Sequence, residues 1–204
     1  MAHIVNIDNP DGFTPVGLVS GLSFAGNMRR MPADGGGADI FRGDMVQLEA
    51  DGNVIPDVAA NTDLHLGIYV GIDGVELRSV GNTEAFGLYD ASEGATDNLI
   101  IVLGNNLIVE AQEDNGGGTP FVVGDVGANI DIVAPSGSTV TGLSLMEYLS
   151  SSPATTATFP LTLLRLVDRP NNQLGADDSS VPNARWLAVG NNMSFTSGRI
   201  GLGL

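Results

Sequence analysis

Two histidines, His3 and His65, and no cysteine are all that this 204-residue chain offers to imidazole or thiolate chemistry. Without cysteine there is no thiolate nucleophile, no disulfide and no Cys-containing metal centre, so the redox compartment leaves no mark. His65 stands at the mouth of a strand-like run, the one base a histidine triad could use. The serine such a triad needs is not presented. Gly21-Leu22-Ser23-Phe24-Ala25-Gly26 is one residue too long for a nucleophile elbow, and no helical pattern follows it. His65 therefore reads as a half-buried hairpin residue rather than a base.

Carboxylates are abundant, 24 against eight basic residues, all of them arginine. The adjacent pairs Asp177-Asp178 and Glu113-Asp114 would support glycosidase chemistry only across a cleft, with a partner roughly 5–10 Å away. Both lie in serine- or glycine-rich sequence and read as solvated loops. Asp8-Asn9-Pro10-Asp11-Gly12 offers the hard oxygens calcium prefers, but lacks the alternating register and closing glutamate of an EF-hand loop. Gly35-Gly36-Gly37 leads into Ala38-Asp39 rather than Lys-Ser/Thr, which excludes a phosphate-cradling loop. Arg42-Gly43-Asp44 spells an integrin tripeptide and Asn192-Met193-Ser194 a glycosylation sequon, but Met1 to Asn6 carries no signal-peptide pattern to give either a setting. No enzyme, cofactor or metal is expected.

The elements that position these residues are β-type. Short apolar runs alternate with Gly, Asn and Asp, and the spacing predicts nine or ten strands. They are Ile40-Phe41, Met45 to Leu48, Val54-Ile55, Leu66 to Ile72, Leu99 to Leu103, Leu107 to Val109, Phe121 to Val123, Ile130 to Val133, Phe159 to Val167 and Trp186 to Val189. Asp51-Gly52 marks one hairpin and Gly104-Asn105-Asn106 a second, since these residues tolerate positive φ. Gly67 and Gly71 fall on one side of their strand, where another backbone can approach. Arg42-Gly43-Asp44 and Val123-Gly124-Asp125 predict tight corners in which the aspartate accepts backbone N–H bonds. The one helical candidate is Leu143 to Leu149, two turns at most.

The expected fold is thus mainly β, a small barrel or sandwich with at most one or two short helices. Residues 1–39, rich in Pro and Gly, read as an extended N-terminal arm that needs a partner surface. Residues 40–192 form the core, with a flexible loop at 113–118 that is also a break between two lobes, if there are two. Residues 150–157 read as a linker and 193–204 as a tail.

Charge narrows the partners. A net charge of −16 is repelled by phosphate backbones and anionic lipid, which excludes nucleic acid and membrane surfaces. With 43% apolar residues the chain can bury a core. Between Arg78 and Arg165 there are ten acids and no basic residue, while the arginines gather towards the two ends. Arginine is enriched at protein interfaces for its planar fork and its stacking. A building block that docks through its ends fits this layout. Phe13, Arg29, Arg30, Arg165 and Arg169 are its candidate contact residues.

Several of these stretches resemble one family. Asn9-Pro10-Asp11-Gly12-Phe13-Thr14-Pro15-Val16, Ile40 to Val46, Asp51 to Pro56, Leu66 to Ile72, Val140 to Ser144, Leu163 to Asn172 and Trp186 to Asn192 are similar to the head decoration, or cement, proteins of tailed bacteriophages. The similarity runs in pieces over roughly two-thirds of the chain. It implies a mainly β, non-catalytic subunit, assembled in the host cytoplasm, that sits on the outer surface of the icosahedral head and bridges neighbouring major capsid protein subunits. The partners it implies are that shell protein and the chain itself, as a homotrimer first and a dimer next. The competing expectation is a carbohydrate-binding β-module for host adhesion, which requires exposed aromatics among Trp186, Tyr69, Tyr89 and Tyr148.

Overall fold

The computed structural model describes residues 6–33, 37–58, 65–72, 88–89, 91, 98–104, 106–116, 119–172, 174 and 181–193. The chain is mainly β, as its short alternating runs require. The first sheet is formed by β1 (Thr14–Leu18), β7 (Leu107–Gln112), β12 (Arg185–Gly190), β11 (Leu161–Leu166) and β8 (Asn129–Ile130), in that order and antiparallel throughout. The second is β2 (Met28–Pro32), β6 (Asn98–Leu103), β5 (His65–Ile72), β3 (Met45–Leu48) and β4 (Val54–Pro56), also antiparallel. A two-stranded ribbon, β9 (Ile132–Val133) with β10 (Glu147–Tyr148), lies at the flank.

Period-2 alternation decides which side chains meet between the sheets. Leu107, Val109 and Ala111 of β7, Trp186 and Ala188 of β12, and Leu161 and Leu163 of β11 join Met45, Ile68 and Val102 of the second sheet in one core. Phe13, Tyr148, Phe121 and Trp186 tie it together: ring centroids lie 5.4 Å apart for Phe13–Tyr148 and 5.8 Å for the edge-on Phe121–Trp186 pair. The other face of the second sheet is apolar too. Val46, Val54, Leu66, Tyr69, Leu99 and Ile101 pack there with Ile40 and Tyr89 from the connecting segments.

Where the sheets join, glycine is obligatory. A Cβ on Gly67 would lie 2.1 Å from the Val102 carbonyl oxygen, and one on Gly190 would lie 2.1 Å from that of Gly104. A Cβ on Gly104 would strike the Met193 sulfur at 2.5 Å. The close approach expected at Gly67 is found; at Gly71 nothing comes within 4 Å. The Asp51-Gly52 hairpin also forms, with Leu48 facing Val54 and Gly52 at φ +90°. Both Gly-Asp corners close as reciprocal pairs. The Asp44 carboxylate accepts the Phe41 N–H at 2.7 Å while the Asp44 N–H bonds back to the Phe41 carbonyl, and Asp125 does the same with Val122.

Other expectations fail for identifiable reasons. Gly104 to Asn106 is not a hairpin: β6 belongs to one sheet and β7 to the other, because the glycine contact turns the chain between layers. The Leu143 to Leu149 stretch is no helix; Tyr148 pairs with Ile132 and sinks into the core. Phe121 to Val123 runs into a 3-10 turn, Val123–Asp125, instead of a strand. Residues 150–157 are no linker, since Ser150 and Ser152 are buried and Ala154 bridges Asn129. The described residues of the 1–39 arm find their partner surface in their own chain. Gln112 binds the backbone at both Ile7 and Asn9, Arg185 holds Asn9 and Asp11, and β1 and β2 each join a sheet.

The glycine corner generates a paired test. Gly67→Ala and Gly190→Ala should each lose more than about 3 kcal/mol in urea unfolding, because a backbone atom rather than a flexible side chain must give way. Gly71→Ala, which meets open space, should stay within about 0.5 kcal/mol of the parent.

Candidate interaction surface

The groups that chemistry would need are committed to structure. His65 is fully buried at the start of β5, not half-buried, and its Nδ1 pairs with the equally buried Asp57 carboxylate. Its N–H bonds to Asn192, which pins the last described residues to the second sheet. Glu113 and Asp114, expected in a solvated loop, are buried as well. The Glu113 side chain accepts the N–H groups of Phe121 at 2.7 Å and Ala184 at 3.3 Å, and Asp114 accepts those of Ser150 and Gly116. They thereby staple the end of β7 to three separate segments. Among the described residues no group of three His, Asp or Glu side chains could hold a metal ion. His3 and Asp177-Asp178 lie outside the described residues.

The surface points instead to association. Among the described strands β1 pairs with β7 alone and β2 with β6 alone, and just past the end of β2 Ala33 bridges Val54 of β4, so the second sheet curls towards its own other edge there. The chain passes from β1 to β2 through a turn in which Leu18, Gly21 and Leu22 bond among themselves and Val19 bonds to Asn106. β1 and β2 thus lie outermost against β7 and β6 in the two layers, joined by that turn and a 3-10 turn at Phe24–Asn27. The opposite edges are blunted, β8 by its two-residue length and β4 by its three residues ending at Pro56.

Apolar side chains gather at this long edge. Val16 (50% exposed), Val19 (60%), Leu22 (68%) and Met28 (36%) all fall between β1 and the start of β2. They are four of the nine large apolar side chains that are exposed among the described residues, so the patch is a concentration and not a scatter. Arg29 and Arg30 continue it along β2, both exposed, with Arg29 folded back onto the Gly26 and Met28 carbonyls. A solvent-facing edge of this length invites an added strand.

The remaining expected contact residues do not join that edge. Phe13 is 1% exposed and belongs to the core. Arg165 is exposed on β11, three strands away from β1 across the first sheet. Arg169 bonds Glu110 at 2.8 Å, and Arg185 bridges Asp11 at 2.9 Å beside the same glutamate. The patch at Val16 to Leu22 escaped the sequence reading because the arm looked strandless; the signal present was four large apolar residues in a stretch without charge. Trp186, Tyr69, Tyr89 and Tyr148 are all buried, so the stacking platform of an adhesion module is not built from them.

Compared with protein families, curated proteins and solved structures, the chain matches none.

The buried carboxyls make stability depend on pH in a definite sense. Burial pushes Glu113 up to about 8 against the pull of its N–H donors. Burial and the neighbouring Asp8 and Asp114 charges lift Glu147 to about 7. A raised carboxyl binds its proton more tightly folded than unfolded, so its contribution is complete below the unfolded value and is lost as pH climbs to the folded one. Stability should therefore fall between about pH 5 and 8, with Glu113 contributing a slope of up to ~1.4 kcal/mol per pH unit. Urea unfolding of Glu113→Gln should show a lower plateau, by about 1–3 kcal/mol at pH 5 for the mismatched amide, and a flatter pH profile.

Proposed function

We propose that this chain is a non-catalytic structural subunit that docks through the β1–β2 edge, and that its setting is the outer surface of a tailed-phage head. The observation that carries the reading is the cluster of exposed apolar side chains, Val16, Val19, Leu22 and Met28, beside the outermost strands β1 and β2. The resemblance noted in the sequence supplies the partner: an extended segment of the major capsid protein, added as a strand. Two further features support an exterior, assembled role. The charge of −16 is tolerated outside a shell that encloses DNA and opposed within it. The exposed Arg29 of β2 sets a cationic side chain at this border for an acidic strand.

Main-chain hydrogen bonds from such a strand would add to burial of Val16, Val19, Leu22 and Met28, and symmetry would multiply modest contacts by avidity. A closed homotrimer at local threefold positions is the arrangement we favour, with a dimer at twofold positions next. Catalysis has no part in the proposal, because the histidine and the paired carboxylates that have been placed all serve the fold.

Co-sedimentation with expanded heads assembled from a tailed-phage major capsid protein tests the proposal. Saturable binding at a fixed ratio is expected. Val19→Glu with Leu22→Glu should weaken it at least tenfold while leaving the unfolding midpoint unchanged, since both side chains are exposed. Arg165→Ala should bind as the parent does. Failure of the parent to bind heads, or full binding by the double variant, would overturn the proposal.

A further inference from the structure

A second feature, independent of the edge, lies just past the end of β7. Asn115-Gly116 is the one Asn-Gly step in the chain, and both residues are exposed. Glycine lacks the Cβ that elsewhere crowds the backbone nitrogen against the preceding side chain. The nitrogen of Gly116 can therefore reach the amide carbon of Asn115 and close a five-membered ring. Other exposed asparagines are less suited: Asn9 is followed by Pro10, which has no N–H, and Asn53 by β-branched Val54. Ring closure needs the nitrogen to shed its proton while ammonia leaves.

The fold sets a proton acceptor on that nitrogen. Asp114 is buried, and its Oδ2 accepts the Gly116 N–H at 3.1 Å. A base must stand within about 2.6–3.2 Å of the atom whose proton it takes. Asp114 is held in place from behind, because its Oδ1 accepts the Ser150 N–H at 2.7 Å. Gly116 packs so closely on this carboxylate that a Cβ there would strike Oδ2. The base is thus fixed by the fold, while the reacting amide faces solvent.

We propose that Asn115 is a self-modification site, at which the Gly116 nitrogen attacks Asn115 Cγ, Asp114 takes its proton, and the amide becomes a carboxylate. In the first step the N–Cγ bond forms and the Cγ–Nδ2 bond breaks. The proton passes through Asp114 to the departing ammonia. In the second step water opens the cyclic imide. Opening at Cγ gives aspartate, and opening at the backbone carbonyl gives isoaspartate, with one more atom in the main chain. Nothing is oxidised or reduced, and water is the sole co-reactant.

The consequence falls on the staple at the end of β7. Either product adds a negative charge next to Glu113 and Asp114, which hold the N–H groups of Phe121, Ala184 and Ser150. A like charge so close opposes their ionised forms. Isoaspartate also lengthens the path from Asp114 to Gly116 and displaces the bond between them. New and aged copies therefore differ in charge and in the firmness of this staple.

Peptide mapping by mass spectrometry of the folded chain, stored at neutral pH and sampled over weeks, tests this. Aspartate and isoaspartate should accumulate at Asn115 at least tenfold faster than at Asn9, Asn27 or Asn53. The folded chain should convert at least threefold faster than the same chain in urea, since only the fold holds the Gly116 N–H on Asp114. Asn115→Gln should abolish the conversion at this position and leave the unfolding midpoint unchanged, because the side chain is exposed. Asp114→Asn should slow it at least threefold; should that variant unfold, the comparison with urea decides. An intact Asn115 after weeks would overturn the proposal. So would equal accumulation at the other asparagines, or conversion no faster in the folded chain than in urea.

Discussion

The contact on which the structure depends is the passage of backbone against backbone at Gly67, Gly104 and Gly190. Here the carbonyls of Val102 and Gly104 come so close to neighbouring strands that no side chain fits between them. Because β6 reaches Gly104 and turns into the other sheet, one ribbon serves both layers. Met193 then covers the corner, while the adjoining Asn192 accepts the N–H of buried His65. The shared core, the register of β12 against β7 and the placing of the last described residues all follow from that turn.

The same turn creates the exposed edge. Since β1 and β2 pair with β7 and β6 on either side of the corner, the first part of the chain becomes the border of both sheets at once. Proteins usually blunt such borders with charge, proline or brevity. This chain does so by brevity at β4 and β8 and by Pro15, Arg29, Arg30 and Pro32 on the β1–β2 side, yet leaves Val16, Val19, Leu22 and Met28 exposed there. Apolar side chains left exposed on a border are intelligible if that border is meant to be covered. Buried carboxyls complete the frame, with Asp44, Glu113 and Asp114 binding backbone N–H groups that loops would otherwise leave unsatisfied.

Much of the fold was legible from local pattern. Leu99 to Leu103 and Trp186 to Val189 are short unbroken apolar runs, and Asp51-Gly52 dictates its own turn. The Gly-Asp corners were equally readable, because their chemistry spans three residues. What stayed hidden depends on contacts distant in sequence. β1 and β2 contain Pro15 and Pro32 and few β-branched residues, so only pairing with β7 and β6 makes them strands. Glu113-Asp114 looked solvated beside a glycine run, and nothing local reveals that Phe121, Ser150 and Ala184 converge on it. Gly104 to Asn106 has a hairpin's composition but serves as a passage between layers. The arginine clustering at the two ends was real in sequence, yet the fold separates Arg29 and Arg30 from Arg165 and Arg169.

The central claim is that the β1–β2 border is where another chain attaches. Hydrogen–deuterium exchange of the protein, free and bound to expanded heads, addresses it residue by residue. The account predicts new protection at Thr14–Leu18 and Met28–Met31 on binding, with little change along β11 and β12. Protection confined to the β11–β12 face, with the β1 and β2 amides exchanging as fast as in the free protein, would contradict it.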